Sequence, residues 1–497
     1  MSHLLMKKTA IMSMTMFLML SASGGKVLAQ VKSWITTADG KSLIERQKDA
    51  EFKPMSLSRQ APIIVDDSQR FQQMEGFGFA LTGGSAELLM KMTASERRNT
   101  IRQLFSRDES GAGISYLRLT VGASDMNSFV FSYDDIPEGQ KDLELKYFSL
   151  AQDLKDVVPV MKEILSVCPD IPILASPWSA PAWMKEEYNV RGFKLRRDCY
   201  EVYAHYFVRY VQEMKQNGIT IGAVTVQNEP LNSRNTPSMP WDPEDQKLFI
   251  RDYLGPQFAQ NGIQTKIILF DHNCDRPDYP LSILADSEAS RYVAGSAFHH
   301  YMGDLSAMGQ VHAARPDKDV YFTEQMIVDR NNHPSSQIAQ TVKRMIIDVP
   351  RNWSRAVVLW NLAADPEANP HTDNGGCPFC MGAITIDGDA VTRNLAYYTI
   401  AQVSKFVPSG SCRIYSTSPS DPAIMLGEDE QHPGVFRVNH YDQSGVLPNV
   451  AFLSPNGEKV LIVSNTTSAY ATFSIQHDGR ICTQSLPSGA VGTYVWK

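Results

Sequence analysis

Hydrophobic and polar positions alternate along this chain in two registers. Between about residue 74 and residue 363, short runs of Val, Ile, Leu, Phe and Ala are separated by stretches with apolar residues three and four apart. The short runs predict strands, and the longer stretches predict amphipathic helices. Eight strand candidates follow in order: 74–82, 115–122, 172–179, 222–230, 266–273, 294–301, 319–325 and 355–363. Between them, 198–217 sets Tyr203, Phe207, Tyr210, Val211 and Met214 on one face and stops at Gly218, a natural C-cap. The stretch 335–348 does the same with Ile338, Val342, Met345 and Ile346. Strands alternating with helices imply a parallel sheet, and eight units imply a closed (β/α)8 barrel. An open doubly wound sheet would have little reason to end nearly every strand in polar, aromatic or acidic residues.

After about residue 405 the helical period disappears. Short apolar runs at 413–416, 423–426, 435–440, 450–453, 459–464, 471–476 and 493–496 are joined by turns such as P-N-G and H-D-G. They predict an antiparallel β-sandwich, to which 61–65 is expected to add a strand. The expected fold class is therefore α/β, a TIM barrel with an attached β-sandwich. The expected organisation is a leader at 1–29, a β-contributing segment at 30–70, the barrel at 71–405 and the sandwich at 406–497.

Charge and composition narrow the picture. A net charge of −7 with no basic cluster gives no reason to expect nucleic acid. Lys7 and Lys8, the apolar run 11–20 and V-L-A before Gln30 have the layout of a secretory leader. Export is expected, secreted or periplasmic, without stable membrane insertion. Seven cysteines are too few for a disulfide scaffold. Five are scattered, and Cys377 and Cys380 form C-P-F-C in a Gly/Pro-rich loop. A local disulfide or a pair of thiols fits that loop better than a redox motif, which needs a strand leading into a helix.

The chemistry lies where strands end. V-T-V-Q-N-E-P (224–230) and V-Y-F-T-E-Q (320–325) each run from apolar residues to a glutamate, Glu229 and Glu324. In a barrel, both acids reach the face where active sites form. Paired carboxylates there suit glycosidic bond cleavage, one as proton donor and one as nucleophile. Arg118, Asp125, Trp178, Asn228, His299, Tyr301 and Trp360 occupy the same kind of position. Aromatic faces stack on sugar C–H groups, while Arg, Asp, His and Asn read hydroxyls. His299 and His300 do not suggest a metal site, since neighbours on a strand face opposite ways. No cofactor is expected.

With these motifs in place, the chain resembles glycoside hydrolase family 30, which includes glucosylceramidases and microbial β-1,6-glucanases. The resemblance rests on G-F-G-F-A-L-T (76–82), Y-L-R-L-T-V-G-A-S-D (116–125), F-S-Y-D-D (131–135), L-A-S-P-W-S-A-P-A-W-M-K (174–185), A-V-T-V-Q-N-E-P (223–230), F-H-H-Y (298–301), F-T-E-Q (322–325), L-W-N-L-A-A-D-P-E (359–367) and S-K-F-V-P-S-G-S (404–411). It implies a retaining mechanism with Glu229 as acid/base and Glu324 as nucleophile. It also implies that Arg118, Asp125, Trp178, Asn228, Tyr301 and Trp360 line the sugar subsite. His299-His300-Tyr301 departs from the His-Trp-Tyr of glucosylceramidase-like members. The loop N-G-G-C-P-F-C-M-G is closer to the β-1,6-glucanase branch. The expected substrate is β-1,6-glucan, with a glucosylceramide-like glycolipid as the alternative and a non-catalytic carbohydrate-binding protein as the contrasting class. Three further expectations follow. The carboxyls should lie about 5–5.5 Å apart, Glu229 should hold the higher pKa, and Trp241 should stand in the loop after strand 4 as a stacking surface for further sugars.

Overall fold

The computed structural model describes residues 30–54, 61–328, 337–373, 375–418, 425–428, 436–438 and 446–497. The leader expected at 1–29 lies outside the described residues, as do parts of the strands expected at 423–426 and 435–440. Each of the eight expected runs supplies one barrel strand. These are β1 (Gly76–Leu81), β2 (Tyr116–Val121), β3 (Ile173–Pro177), β4 (Ala223–Thr225), β5 (Lys266–Cys274), β6 (Val293–Gly303), β7 (Asp319–Glu324) and β8 (Ser354–Asn361). All pair in parallel, and β8 closes on β1.

Side-chain alternation divides the barrel interior into layers. Tyr116, Leu174, Ala223, Ile268, Ala297, Tyr321, Ala356 and Val358 pack together as an apolar plug. Two residues further along their strands come Arg118, Ser176, Thr225 and Thr323, all buried. The step from apolar to polar along each strand sets the depth at which chemistry begins.

β4 is much shorter than the expected 222–230. Beyond Thr225 the chain leaves the ladder: Asn228 N–H donates to Pro177 O at 2.8 Å, and Glu229 N–H donates to Asp271 O at 2.9 Å. Glu229 has φ +46°, in the left-handed region, a conformation that costs a non-glycine residue free energy and is held by its surroundings. The helix expected at 198–217 runs Tyr200–Gln216, with Gly218 at φ +84° behind it. The one expected at 335–348 begins at Ile338 as α-helix and widens to π-helical turns over Lys343–Asp348.

The β-domain is built on an eleven-stranded sheet. Its long strand Ile63–Gln73 continues past the expected boundary at residue 70. It pairs antiparallel with Cys412–Ser416 and in parallel with Ala471–His477. Arg480–Leu486, a strand the sequence reading missed, pairs with Ala471–His477. Its residues alternate weakly in hydropathy, so the hairpin shows mainly through its D-G turn. Barrel and sheet share apolar contacts: Phe77 meets Phe452 edge-on at 6.0 Å between ring centres. Arg351 donates to Asn449 O at 2.7 Å and Ser416 O at 2.8 Å across the same junction. No helix among the described residues is long and apolar enough to cross a membrane.

Candidate active site

At the C-terminal mouth of the barrel, a cavity of about 260 Å³ is lined by Asp125, Trp178, Glu229, Asn232, Asn235, Asn273, Tyr301, Glu324, Met326, Trp360, Cys377 and Cys380. The two glutamates therefore face one space, with β4 and β7 delivering them from separate parts of the chain. Trp178 stacks on Trp360 with ring centres 5.2 Å apart, which makes one aromatic wall. Tyr301 donates its hydroxyl to Glu324 Oε1 at 2.9 Å. Asn232 Nδ2 donates to Glu229 Oε2 at 2.7 Å.

Beneath this lining lies a charged layer. Arg118 donates to Glu324 Oε2 at 2.6 Å, to Asn228 Oδ1 at 2.7 Å and to Asp271 Oδ2 at 2.8 Å. It is 0% exposed and absent from the cavity lining. Its expected role as a sugar contact is corrected: the guanidinium holds Glu324 and Asn228 from behind. Asn228 is likewise buried, its Oδ1 taken by Arg118. His299, also expected to touch sugar, is 0% exposed and spans two carboxylates: Nδ1 lies 3.2 Å from Glu229 Oε1, and Nε2 lies 3.0 Å from Asp271 Oδ1. His300 points the other way, into a separate cavity beside Arg344. Asn361 turns outward to accept from Thr82 at 2.9 Å and Ser85 at 2.7 Å.

Asp271 is the residue that sequence reasoning missed. Its carboxylate is fully buried and accepts from Arg118, Thr225 (2.7 Å), Ser176 (3.1 Å), Thr323 (2.6 Å) and His299. Burial disfavours its charge, but Arg118 and His299 outweigh that and hold its pKa far below the ordinary carboxylate range. The available signal was the polar end of β5, F-D-H-N-C, the same apolar-to-polar step that marked the other strands.

His299 has carboxylates at both nitrogens, and when both acids are ionised both nitrogens donate, which makes the ring an imidazolium. Burial pushes its pKa down, but Glu324, Asp271 and Glu229 raise it to about 9. That charge reverses the expected order of the glutamates in the free protein. Burial pushes Glu229 up, yet the hydrogen bond and charge of His299 hold it below its usual value. Burial, with the Glu229 charge, raises Glu324 despite His299 and Arg118. Asp125 is pushed to about 8 by burial and by the charges of Glu324 and Glu229, and its Oδ1 is buried without a partner.

Two loop expectations also resolve. Cys377 and Cys380 form a disulfide in the cavity wall, beside Met326. Trp241 is corrected: it is 2% exposed and packs on Phe249 and Tyr200, with ring centres 5.2 and 5.5 Å away. It cannot stack on sugar. The polar loop around it conceals an apolar underside.

Comparison with known proteins agrees with this architecture. Residues 74–407 match the family model for the glycosyl hydrolase family 30 TIM-barrel domain, and residues 434–494 match the family 30 beta sandwich domain. The chain is 31% identical over 457 residues to the endo-1,6-beta-D-glucanase neg1 of Aspergillus fumigatus, covering 87% of each chain. It is 32% identical over 416 residues to an endo-1,6-beta-D-glucanase of Neurospora crassa, covering 81% of each. Lysosomal acid glucosylceramidase of Mus musculus is 26% identical, covering 88% of this chain and 83% of that one. Among solved structures, the endo-beta1,6-glucanase BT3312 superimposes with a TM-score of 0.81 at 30% identity, over 94% of this chain and 99% of that one.

Proposed function

Since the chain belongs to glycosyl hydrolase family 30 and is a glycosidase, we propose that it cleaves β-1,6-linked glucan with retention of configuration. In this reading Glu324 attacks the anomeric carbon, and a new C–O bond forms as the glycosidic bond breaks. Glu229 gives its proton to the departing oxygen. Glu229 then takes a proton from water, whose oxygen attacks the same carbon and frees Glu324.

One observation carries the proposal. A single nitrogen of His299 lies 3.2 Å from Glu229 Oε1 and 3.8 Å from Glu324 Oε1. The approach of both acids to this one bridging nitrogen limits their two oxygens to a separation no greater than the sum of those distances, which admits the retaining spacing of about 5–5.5 Å. The bridge also supplies the proton. Transfer from His299 to Glu229 across their contact makes Glu229 the acid. Loss of the Glu324 charge on forming the glucosyl ester then leaves Glu229 less repelled and ready to act as base. Asp125, with its unpartnered oxygen, and the Trp178–Trp360 wall are suited to a sugar ring's hydroxyls and C–H face.

The preference for β-1,6-glucan rests on relatives of that printed activity and on a polar mouth. The mouth offers isolated exposed rings such as Phe379 instead of a continuous apolar surface for lipid chains. The leader layout at 1–29 supports export, tested by sequencing the N-terminus of the mature protein. The decisive assay sets β-1,6-glucan, β-1,3-glucan and glucosylceramide side by side, with Glu229→Gln and Glu324→Gln as controls. Each variant should lose at least about 10²–10⁴-fold in kcat. Faster release from glucosylceramide would overturn the substrate, and near-native turnover by either variant would overturn the roles.

A further inference from the structure

His272, near the end of β5, takes no part in that mechanism and lies outside the cavity lining. It is 7% exposed, yet its Nδ1 is buried with no hydrogen-bond partner. That nitrogen lies 3.9 Å from Glu229 Oε1, the same oxygen that His299 Nδ1 approaches to 3.2 Å. The three ligand atoms fall within 4.8 Å of one another. Two imidazole nitrogens and one carboxylate oxygen are a donor set suited to zinc and its neighbours. Tetrahedral ligands at about 2.1 Å from an ion stand roughly 3.4 Å apart, so small rotations about side-chain bonds would gather all three. His299 is already oriented for this, because its other nitrogen is held by the Asp271 carboxylate, the usual support behind a metal-bound histidine. The surrounding charge points the same way. Three carboxylates face two cations, Asp271 and Glu324 paired with Arg118 and Glu229 and Asp271 with the protonated His299, and a dication that replaces the His299 proton would offset the remaining negative charge.

We propose that Glu229, His272 and His299 form an inhibitory site for a divalent transition metal, zinc in the first instance. The ion takes the Glu229 oxygen needed for proton transfer and displaces the proton between Glu229 and His299. The inhibition rests on Glu229 being the acid/base, whereas the binding does not.

The test uses the full chain, freed of metal by chelator and titrated with zinc chloride. Hydrolysis of an aryl β-glucoside is followed in parallel with zinc K-edge X-ray absorption. Inhibition that lowers kcat and is reversed by chelator is expected, with one zinc per chain coordinated by two imidazoles. His272→Phe and His272→Gln should each raise the half-inhibitory concentration at least about tenfold, measured against each variant's own metal-free rate. Equal zinc sensitivity in wild type and both variants would overturn the site, as would absorption spectra without imidazole ligands. Zinc bound through two imidazoles without inhibition would overturn the inhibitory role and would count against Glu229 as acid/base.

Discussion

Replacing Asp271 by asparagine removes one negative charge at nearly constant volume from beneath the two glutamates. Arg118 and His299 lose a shared counter-charge, and breaking a buried ion pair from one side costs about 3–5 kcal/mol. The pH dependence is more diagnostic. His299 is raised from 6.5 to about 9, a shift worth about 3 kcal/mol of folding free energy. A raised imidazole stabilises the fold fully below 6.5, and that contribution is lost as pH climbs through about 9. Asp271 supplies two of the four favourable interactions behind that rise, the others being with Glu324 and Glu229. Because burial opposes these interactions, the variant should lose more than half of the linkage, on the order of 2 kcal/mol or more. On the acid side the sign is opposite: Asp271 is depressed, so its stabilisation is present above 3.8 and fades as pH falls. Wild type and Asp271→Asn should be compared by thermal denaturation from about pH 2 to about pH 9.5. The variant should melt lower near pH 6, approach wild type toward acid, and lose less than wild type between pH 6.5 and 9. Parallel profiles across the whole range would refute the placement of Asp271 as the anchor of His299.

Substitutions at three other places probe separate features. Trp241→Ala should destabilise by about 3–5 kcal/mol, as for a large core ring. It should leave the ratio of kcat/KM between long glucan and aryl glucoside unchanged; a selective loss on long glucan would return Trp241 to the substrate surface. Asp125→Ala should lower kcat/KM by about tenfold, equivalent to one hydrogen bond of about 1.4 kcal/mol. Asp125→Asn should retain most activity below about 8, where the native carboxyl is itself protonated, and Michaelis kinetics at two pH values decides between them. The double change Cys377→Ser, Cys380→Ser should raise KM while sparing kcat, because the disulfide shapes the cavity wall; a collapse of kcat would argue for redox chemistry instead.

Residue periodicity explains why so much of this site could be read in advance. Period-two alternation on eight runs, each ending in polar groups, places Asp125, Trp178, Glu229, Tyr301, Glu324 and Trp360 at one mouth once the barrel closes. Where alternation breaks, reading failed. Phe270 and Asp271 have φ of +69° and +61°, which reorients the end of β5, so that its polar step was legible but the inward aim of Asp271 was not. Trp241 sits in a stretch polar enough to pass for exposed loop, and only packing against Tyr200 and Phe249 shows which side is buried. Arg118 lies on the correct face but one layer too deep to meet a ligand. Sequence alone thus determined the barrel, the direction in which its chemistry points and the two acids, because these depend on residue identity at local spacing. The proton on His299, the reversed order of the glutamates and the gathering of His272 with Glu229 depend on ångström distances between strands tens of residues apart. Electrostatic coupling of that kind is set by the closed tertiary structure.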